Sequence, residues 1–230
     1  MSNKSHRPPS GVLERGLSLL ACFTQERPRL HLRELAELTG LDKTTSSRAL
    51  KTLVDWGYLE RSSDGSYSPG PANLRMASIF RTTSNFVSRV EAPIISISRQ
   101  VGQTTSFFVR SGSERVCLAR DHAHQDFRYF IEVGASVPLD KGGAAAQIIL
   151  AYSDVDSDES VAIRKRGYYI SRGERHRHFA SIATPLFESD GQFLGAITIT
   201  GMALDLSDED LKAFLDIIQK EVAAAGFTIV

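Results

Sequence analysis

Seven consecutive residues near the start of the chain, Asp42 to Arg48, carry short polar or cationic side chains and no bulky apolar one. Small hydroxyls let a helix approach a groove of duplex DNA closely, and Lys or Arg there can reach guanine or phosphate. The alternative is that these groups only solvate an exposed helix end. A Thr-Thr-Ser-Ser run forms helix poorly, and solvation alone favours Glu, Lys and Gln, so the pattern favours DNA contact.

The elements that surround this segment indicate how it is positioned. Apolar residues recur at helical spacing over residues 12–23 and 32–38 and predict two helices. Gly40 supplies a left-handed cap for the second helix, and Asp42 is a good N-cap for a third. Asp64-Gly65 between two strand-like pieces predicts a hairpin. Three helices followed by a hairpin predict a winged helix-turn-helix.

The predicted DNA contacts of this unit fall into two groups. Base edges or nearby phosphates are assigned to Thr44, Thr45, Ser46 and Arg48, and the DNA backbone to Lys43, Ser47, Arg61 and Tyr67. Residues 1–70 hold ten Lys and Arg against eight Asp and Glu, whereas residues 71–230 hold 17 against 19. The excess is small, so we expect few phosphate contacts per subunit and therefore binding as a dimer to a pseudo-palindromic operator on double-stranded DNA.

The remainder of the chain predicts a second, mixed domain. Residues 72–99 are expected to form one long helix with a kink at Pro93. Strands are predicted at Thr104–Val109, Arg115–Ala119, Phe127–Val133, Ser181–Leu186 and Gly195–Thr200, and helices at Gly142–Ala151 and after Ser207. Strands and helices mix without a regular βαβ alternation, which predicts an α+β fold. The expected organisation is a flexible arm (1–10), a winged helix-turn-helix (11–70), a linker helix (71–102) and a second domain (103–230).

Composition excludes several classes of protein. The formal net charge of zero argues against a histone-like protein, and two distant cysteines, Cys22 and Cys117, exclude a disulfide scaffold or a Cys-rich zinc ribbon. The same cysteine usage makes a reducing cytoplasm the expected location. No apolar run is long enough for a membrane span, so we expect no membrane partner. Besides a DNA-binding regulator, a second hypothesis is an enzyme that uses its winged domain to dimerise. The sequence contains no GxGxxG, GxSxG, HExxH or P-loop motif of a cofactor or catalytic site, so we expect no catalysis and no cofactor.

Several stretches of the first unit carry a family resemblance. They are Leu13–Leu17, Leu32–Ala36, Thr39–Thr45, Arg48–Leu50, Leu53–Leu59 and Tyr67–Gly70. In order and spacing these stretches resemble the DNA-binding domain of the IclR-type transcriptional regulators. The resemblance extends through Val133–Asp140, Gly142–Ala151, Arg166–Tyr168, Ser181–Leu186 and Gly191–Gly201, and so covers about residues 11–222.

The resemblance implies a GAF-like second domain, with a mostly antiparallel sheet, that binds a small organic effector, often an acid. It also implies a homodimer that can pair into a tetramer. The pocket positions that it assigns are Gly143, Ala144, Ala145, Ser171, Ser181, Thr198 and Thr200. Small residues at a helix N-terminus let backbone N–H groups approach a carboxylate, although close helix–sheet packing needs them equally. Thr198 and Thr200 share one face of a strand because side chains alternate.

Two departures from the family pattern leave a third hypothesis open. Ser171 stands where the family often has an acidic residue, and the segment 152–165 is short. The second domain could therefore have lost its effector and serve only to oligomerise. Possible counter-ions for an acid are Arg128, Arg172, Arg175 and Arg177, each also typical of a surface charge. His122/His124 and His176/His178 lack accompanying ligands, so no metal site is expected.

Overall fold

The computed structural model describes residues 9–122, 131–153 and 156–229, in two compact units, Met1–Thr83 and Ser84–Val230. Most of the flexible arm expected over residues 1–10 lies outside the described residues, as does most of the strand expected at Phe127–Val133. The described part of that segment, residues 131–133, forms no strand. Within the described residues, no helix combines the length and the apolar character that a membrane span requires.

The first unit has the expected winged helix-turn-helix. Its helices and strands are α1 (Val12–Leu20), α2 (Leu32–Thr39), α3 (Lys43–Asp55), β1 (Leu59–Arg61), β2 (Tyr67–Pro69) and α4 (Pro71–Thr83). Gly40 ends α2 in the left-handed conformation, and the Asp42 side chain caps α3, as the sequence predicts. Leu19, Leu35 and Leu50, one from each of the first three helices, are fully buried in a common core. This core fixes the direction in which α3 is presented.

The apolar face expected for α1 is only partly buried. Leu19 is inaccessible to solvent, but Val12, Leu13 and Leu17 are 84%, 76% and 57% exposed. A helix of nine residues offers one side to the core, and its other apolar residues project outward. The helix predicted from the apolar spacing is present, and part of its apolar face remains exposed.

The prediction of a single helix over residues 72–99 is wrong. The structure has two helices there, α4 and α5 (Asn85–Val101). The hydroxyls of Thr82 and Thr83 donate to backbone carbonyls of the preceding turn, including that of Ile79. The Ser84 side chain then accepts from the backbone N–H of Val87 and caps the new helix. Hydroxyl side chains that compete for backbone groups end one helix and begin the next. The expected kink at Pro93 falls inside α5.

The second unit is built around one sheet in which the strand pairs of the described residues are all antiparallel. The strand order is β5–β4–β3–β8–β7–β6, with β9 paired to β7. Its elements after α5 are β3 (Thr104–Ser111), β4 (Glu114–Asp121), β5 (Ser136–Pro138), α6 (Ala144–Ser153), α7 (Asp158–Arg166), β6 (Tyr169–Arg172), β7 (Phe179–Glu188), β8 (Phe193–Met202), α8 (Asp208–Ala224) and β9 (Phe227–Thr228). The sequence predicts β3, β4, β7, β8, α6 and α8. It misses three strands of four residues or fewer and the charged helix α7.

Helices cover both faces of this sheet. On one face α5 and α8 bury a core that includes Ile94, Phe107 and Ile218. On the other face α6 packs on the sheet with small side chains and with Ile148 and Ile149, and α7 packs on α6. Because side chains alternate along a strand, Phe107 belongs to the first core and its neighbour Phe108 to the second. The α6 face of the sheet is the one that carries the predicted pocket residues.

Gly195 on β8 permits β3 to approach. A Cβ atom built on Gly195 would collide with the Phe108 carbonyl oxygen and lie 2.8 Å from the Phe107 ring. We expect Gly195→Ala to lower the free energy of unfolding by about 1–3 kcal/mol, as overpacked interior substitutions do. Urea denaturation followed by circular dichroism measures the change.

Gly16→Ala in α1 is the matched control for Gly195→Ala. No atom lies within 4 Å of a Cβ placed at Gly16, so helix propensity alone should raise stability by about 0.5–1 kcal/mol. An unfolding midpoint of Gly195→Ala equal to that of the unaltered protein would contradict the close approach.

Candidate DNA-binding surface and ligand cavity

The exposed face of α3 carries most of the predicted DNA contacts. Lys43, Thr44, Ser47 and Arg48 are all exposed to solvent. Lys51, which the sequence interpretation omitted, is exposed one helical turn after Ser47. Lys51 follows Ser47 by four residues and Arg48 by three, and this helical spacing could have placed it on the same exposed face from the sequence alone. Hydroxyls and three positive charges therefore share one surface of the helix, as contact with DNA phosphates and bases requires.

Thr45 has a structural task at the start of α3. Its backbone N–H donates to Asp42 Oδ1 at 2.8 Å, and its hydroxyl donates to Asp42 Oδ2 at 2.7 Å. These hydrogen bonds hold the pKa of Asp42 below its ordinary value, the side-chain bond being the larger cause. The Thr45 hydroxyl proton is thus engaged in holding the N-terminus of the recognition helix.

Two of the predicted DNA contacts, Ser46 and Tyr67, are buried, which argues against direct contact of either with DNA. Ser46 is 0% exposed, because it lies four residues before the core residue Leu50 on the same side of α3. Tyr67 is 5% exposed and belongs to the core of the first unit, with the Arg61 guanidinium 5.7 Å from its ring centroid. Arg61 itself is exposed on the hairpin. Ser46 and Tyr67 therefore support the surface that their exposed neighbours present.

The second unit encloses a cavity of about 320 Å³ between the N-terminus of α6 and the sheet. All seven sequence-predicted pocket residues line it, namely Gly143, Ala144, Ala145, Ser171, Ser181, Thr198 and Thr200. Its volume lies at the small end of the range for ligand pockets. The structure thus brings the predicted residues together around one space.

The N-terminus of α6 is already occupied by a carboxylate of the chain itself. Gly143, whose φ of +91° suits glycine, donates its backbone N–H to Glu174 Oε2 at 3.0 Å. The Tyr169 hydroxyl donates to Glu174 Oε1 at 2.9 Å. Burial and then this hydrogen bond raise the pKa of Tyr169 to about 12. The anion predicted to lie at this helix terminus is therefore, in this structure, Glu174.

Arg115 of β4 lies beside the same turn and is the main polar group that sequence interpretation missed. It is 2% exposed, and its Nη2 donates to the Gly142 carbonyl at 3.0 Å. Its Nε and Nη1 are shielded from solvent and have no hydrogen-bond partner. Burial, and then the charge of Arg175, lower the pKa of Arg115 to about 10. Three of its five N–H donors therefore have no acceptor among the described residues.

A β-bulge turns a second arginine toward the cavity. Arg115 and Arg120 are five residues apart, so in a regular strand they would point to opposite faces. The pairing of β3 with β4 shifts by one residue opposite Phe107 and Phe108, which leaves Leu118 as an extra residue. Both arginines consequently line the cavity. Bulges commonly redirect side chains in this way beside binding sites.

The environment of Arg120 resembles that of Arg115. Its Nη1 donates to the Ile131 carbonyl at 2.5 Å, and burial lowers its pKa to about 10. Arg175, on the loop between β6 and β7, also lines the cavity and lowers the pKa of both buried arginines. Three guanidinium groups thus surround one end of the cavity.

Of the remaining ionisable residues singled out in the sequence, His176 also lines the cavity, and the others that the structure describes have different surroundings. Arg172 pairs with Asp208 at 2.6 Å, and Arg177 donates to His178 Nε2 at 2.9 Å, while Arg128 and His124 lie outside the described residues. Among the described residues, no group of three His, Cys, Asp or Glu side chains is placed to hold a metal ion. Of the four predicted counter-ions, Arg175 is the one that the structure places at the cavity.

Comparison with known proteins supplies the family context. A family model of the IclR helix-turn-helix domain matches residues 12–63, and the model of the bacterial transcriptional regulator IclR C-terminal domain matches residues 157–225. Among curated proteins, the HTH-type transcriptional regulator KipR of Bacillus subtilis (strain 168) is 24% identical over 86% of this chain and 88% of its own. These matches are to transcriptional regulators, not to enzymes.

Solved structures agree with the fold. An IclR transcriptional regulator from Silicibacter sp. TM1040 superposes with a TM-score of 0.82 at 21% identity, covering 94% of this chain and 95% of the other. An IclR homolog from Microbacterium hydrocarbonoxydans, crystallised in complex with 4-hydroxybenzoate, gives a TM-score of 0.68 at 18% identity, covering 93% and 100%. These likenesses support the arrangement of helices and sheet described above.

The burial pattern of α3 separates two neighbouring positions. We expect Arg48→Ala to weaken specific DNA binding by about 1–3 kcal/mol if Arg48 contacts a base, since its side chain is exposed on the helix. Ser46→Ala should leave affinity unchanged, because Ser46 is inaccessible. Fluorescence anisotropy on operator DNA measures both variants.

Arg110→Ala, an exposed arginine of the second unit, is the charge-matched control. An equal loss of affinity in Arg48→Ala and Arg110→Ala would indicate a general charge effect. A loss in Ser46→Ala with an unchanged melting temperature would contradict the assignment of the α3 face.

Proposed function

Since the two family models together match more than half of its length, the chain belongs to the IclR-type transcriptional regulators, and we propose that a small organic acid in the cavity controls its binding to DNA. The observation that carries this proposal is Arg115, a buried cation beside the cavity with two unpartnered nitrogen atoms. The regulator binds its operator through the exposed face of α3, and the acid is the signal that changes its affinity.

Charge compensation explains why the ligand is an acid. A buried cation without an anionic partner costs several kcal/mol of desolvation. A carboxylate accepts two parallel hydrogen bonds from a guanidinium and so offsets this desolvation free energy. Glu174 already serves Gly143 and Tyr169, so the partner for Arg115 comes from outside the chain. The acid found with the Microbacterium relative is consistent with this class of ligand.

The DNA-binding mode follows from the exposed residues of α3. Lys43, Thr44, Ser47, Arg48 and Lys51 face the major groove, and Arg61 on the hairpin holds a phosphate. Two copies bind a pseudo-palindromic operator with half-sites one helical turn, or a multiple of it, apart. The effector binds two quaternary states of the protein with different affinities and thereby shifts the equilibrium between them. The regulator works in the cytoplasm, where its DNA is.

A homodimer is proposed from the apolar side chains that the first unit leaves exposed. On α1 they are Val12, Leu13 and Leu17, and on α4 Leu74, Met76, Ile79 and Phe80. Exposed apolar groups clustered on helices are typical of an interface with another chain. A second copy of this chain fits the need for two recognition helices on one operator. Pairing of dimers into a tetramer remains part of the proposal from family resemblance.

The alternative is a second domain that only oligomerises. The cavity and its buried, uncompensated arginine favour effector binding, because a domain that merely oligomerises gains nothing from a cation held in its interior. The short segment after α6 still contains the helix α7, in which Arg164 donates to the Ala151 carbonyl at 2.6 Å. This contact supports α6 from behind.

Effector control is tested with Arg115→Met in the full-length protein. Gel shifts on the DNA that flanks its own gene are repeated across a salt series and with a panel of small acids. We expect Arg115→Met to keep operator binding and lose the response to acids, because methionine fills the same space without a charge. Its unfolding temperature without ligand should not fall, since an uncompensated buried charge is removed.

Arg110→Met is the matched control, because Arg110 is the exposed cross-strand partner of Arg115. An acid response that persists in Arg115→Met would refute the assigned anchor. Failure of every acid to alter operator binding by the unaltered protein would favour the purely oligomeric domain.

The interface is tested by Leu13→Glu, which places a charge among the exposed apolar residues of α1. We expect a monomer by light scattering after size exclusion, together with weaker operator binding, because a buried unpaired charge opposes association. Leu204→Glu is the control, since Leu204 is 94% exposed in the other unit. A dimer that survives Leu13→Glu would exclude the α1 surface as its interface.

A further inference from the structure

The sheet register aligns hydroxyl side chains along the floor of the cavity. Thr104 of β3 pairs with Thr200 of β8, Thr200 with Ser181 of β7, and Ser181 with Ser171 of β6. Directly paired residues of antiparallel strands project to the same face, so these four side chains form one row across four strands. Each of the four lines the cavity.

A second, shorter row lies beside the first on the same face. Ser106 of β3 pairs with Thr198 of β8, two residues along from the first row, and both line the cavity. We call the two rows together the hydroxyl ladder, which comprises Thr104, Ser106, Ser171, Ser181, Thr198 and Thr200. Six hydroxyl-bearing side chains therefore lie side by side along one wall of the cavity.

The hydroxyl ladder makes no use of its own hydrogen-bonding capacity within the described residues. None of its six hydroxyls donates to or accepts from another described side chain or backbone group, and Thr198 Oγ1 is shielded from solvent as well. Elsewhere in the unit, Thr184 and Ser98 donate to backbone carbonyls at 2.9 Å. Buried hydroxyls are normally satisfied, so an aligned set without partners indicates a hydrogen-bonding ligand.

The charged end of the cavity is continuous with the hydroxyl ladder. Arg120 pairs directly with Ser106 in the sheet, so the order across the strands is Arg120, Ser106, Thr198. Arg115 and Arg175 approach the same end from β4 and from the loop before β7. A ligand that places an anionic group among the arginines extends its remaining atoms over the hydroxyls.

We propose that the effector is a non-aromatic carboxylic acid that carries several hydroxyl groups, of the aldonic acid type. This inference rests on the proposed effector control and specifies the ligand class. Each ligand hydroxyl can donate and accept, and so matches Ser and Thr, which do the same. An acid without hydroxyls leaves the ladder without hydrogen-bond partners from the ligand, and sites built to hydrogen-bond a hydroxyl reject such analogues strongly. A flat aromatic ring would cover the ladder with a face that cannot pair with it.

The test compares carbon-matched acids on the full-length protein by isothermal titration calorimetry. Glycerate, xylonate and gluconate are paired with propionate, valerate and hexanoate, and benzoate represents aromatic acids. We expect at least one hydroxylated acid to bind more than 10-fold tighter than its partner and than benzoate. Sorbitol, with hydroxyls but no acid, should bind more weakly than gluconate.

Substitutions in the hydroxyl ladder make the test specific to the site. Thr198→Val and Thr200→Val keep the side-chain shape and remove the hydroxyl, and we expect each to reduce the preference for hydroxylated acids at least 5-fold. Thr105→Val is the matched control, because Thr105 is also a buried, unpartnered threonine but belongs to the opposite face of the sheet. It should leave the preference unchanged. Thermal unfolding without ligand verifies that each variant is folded.

The possible failures are distinct. If deoxy or aromatic acids bind as tightly as hydroxylated ones, and Arg115→Met abolishes that binding, the ligand class is wrong but acid control stands. If no acid of any series binds while the operator is still bound, both the ligand class and acid control fall. If Thr105→Val lowers the preference as much as Thr198→Val, the ladder is not the cause.

Discussion

The pairing of β3 with β4 contains one extra residue, and the character of the cavity depends on it. Without the extra residue Leu118, the alternation of side chains would send Arg115 and Arg120 to opposite faces of the sheet. One of them would then lie in the apolar core under α5 and α8. The bulge places both cations on the α6 side, where they line the cavity together with Gly143. Charge, space and hydrogen-bonding groups meet on one face because of a local departure from regular pairing.

In the winged unit, the residues of α3 are divided between the helix cap, the core and the exposed face. Asp42 and Thr45 hold the first turn, Ser46 and Leu50 face inward, and the intervening residues are left for DNA. A helix has only one side to spare when the other packs on a core. The surface that we propose for DNA contact is therefore narrow, and each of its exposed groups is expected to carry a large share of the sequence specificity. Tyr67 of the hairpin is buried in the core, and the Arg61 guanidinium lies over its ring.

Much of the molecule was predictable because its signals are local. Caps such as Asp42 and Ser207 and the turn at Gly40 are set by a few neighbouring residues. The shared face of Thr198 and Thr200 follows from the two-residue period of a strand. All seven pocket positions taken from the family resemblance line one cavity in this structure. Agreement between local pattern and tertiary structure is what a well-specified fold provides.

Other features could not be predicted, or were overlooked, for identifiable reasons. The burial of Ser46 was available from its spacing to Leu50, but the polar run around it concealed the helical period. The division between α4 and α5 was signalled by Thr82-Thr83-Ser84. Arg115 could have been suspected as a charge in phase with the buried Cys117, whereas Arg120 could not, because its orientation depends on a bulge formed with a distant strand. Register between strands is a property of the whole sheet.

Glu174 gives the cavity a property of its own. At the N-terminus of α6 it accepts from the backbone N–H of Gly143 and from the Tyr169 hydroxyl, and so satisfies a backbone donor and a side-chain donor at the cavity wall. These contacts hold the cavity wall without help from a ligand, which in the proposed effector site would limit the ordering entropy lost on binding. Selection among ligands in the proposed effector site then depends on the hydrogen-bonding groups that Glu174 leaves unsatisfied. Such a site distinguishes ligands through the few hydrogen bonds that the protein does not make within itself.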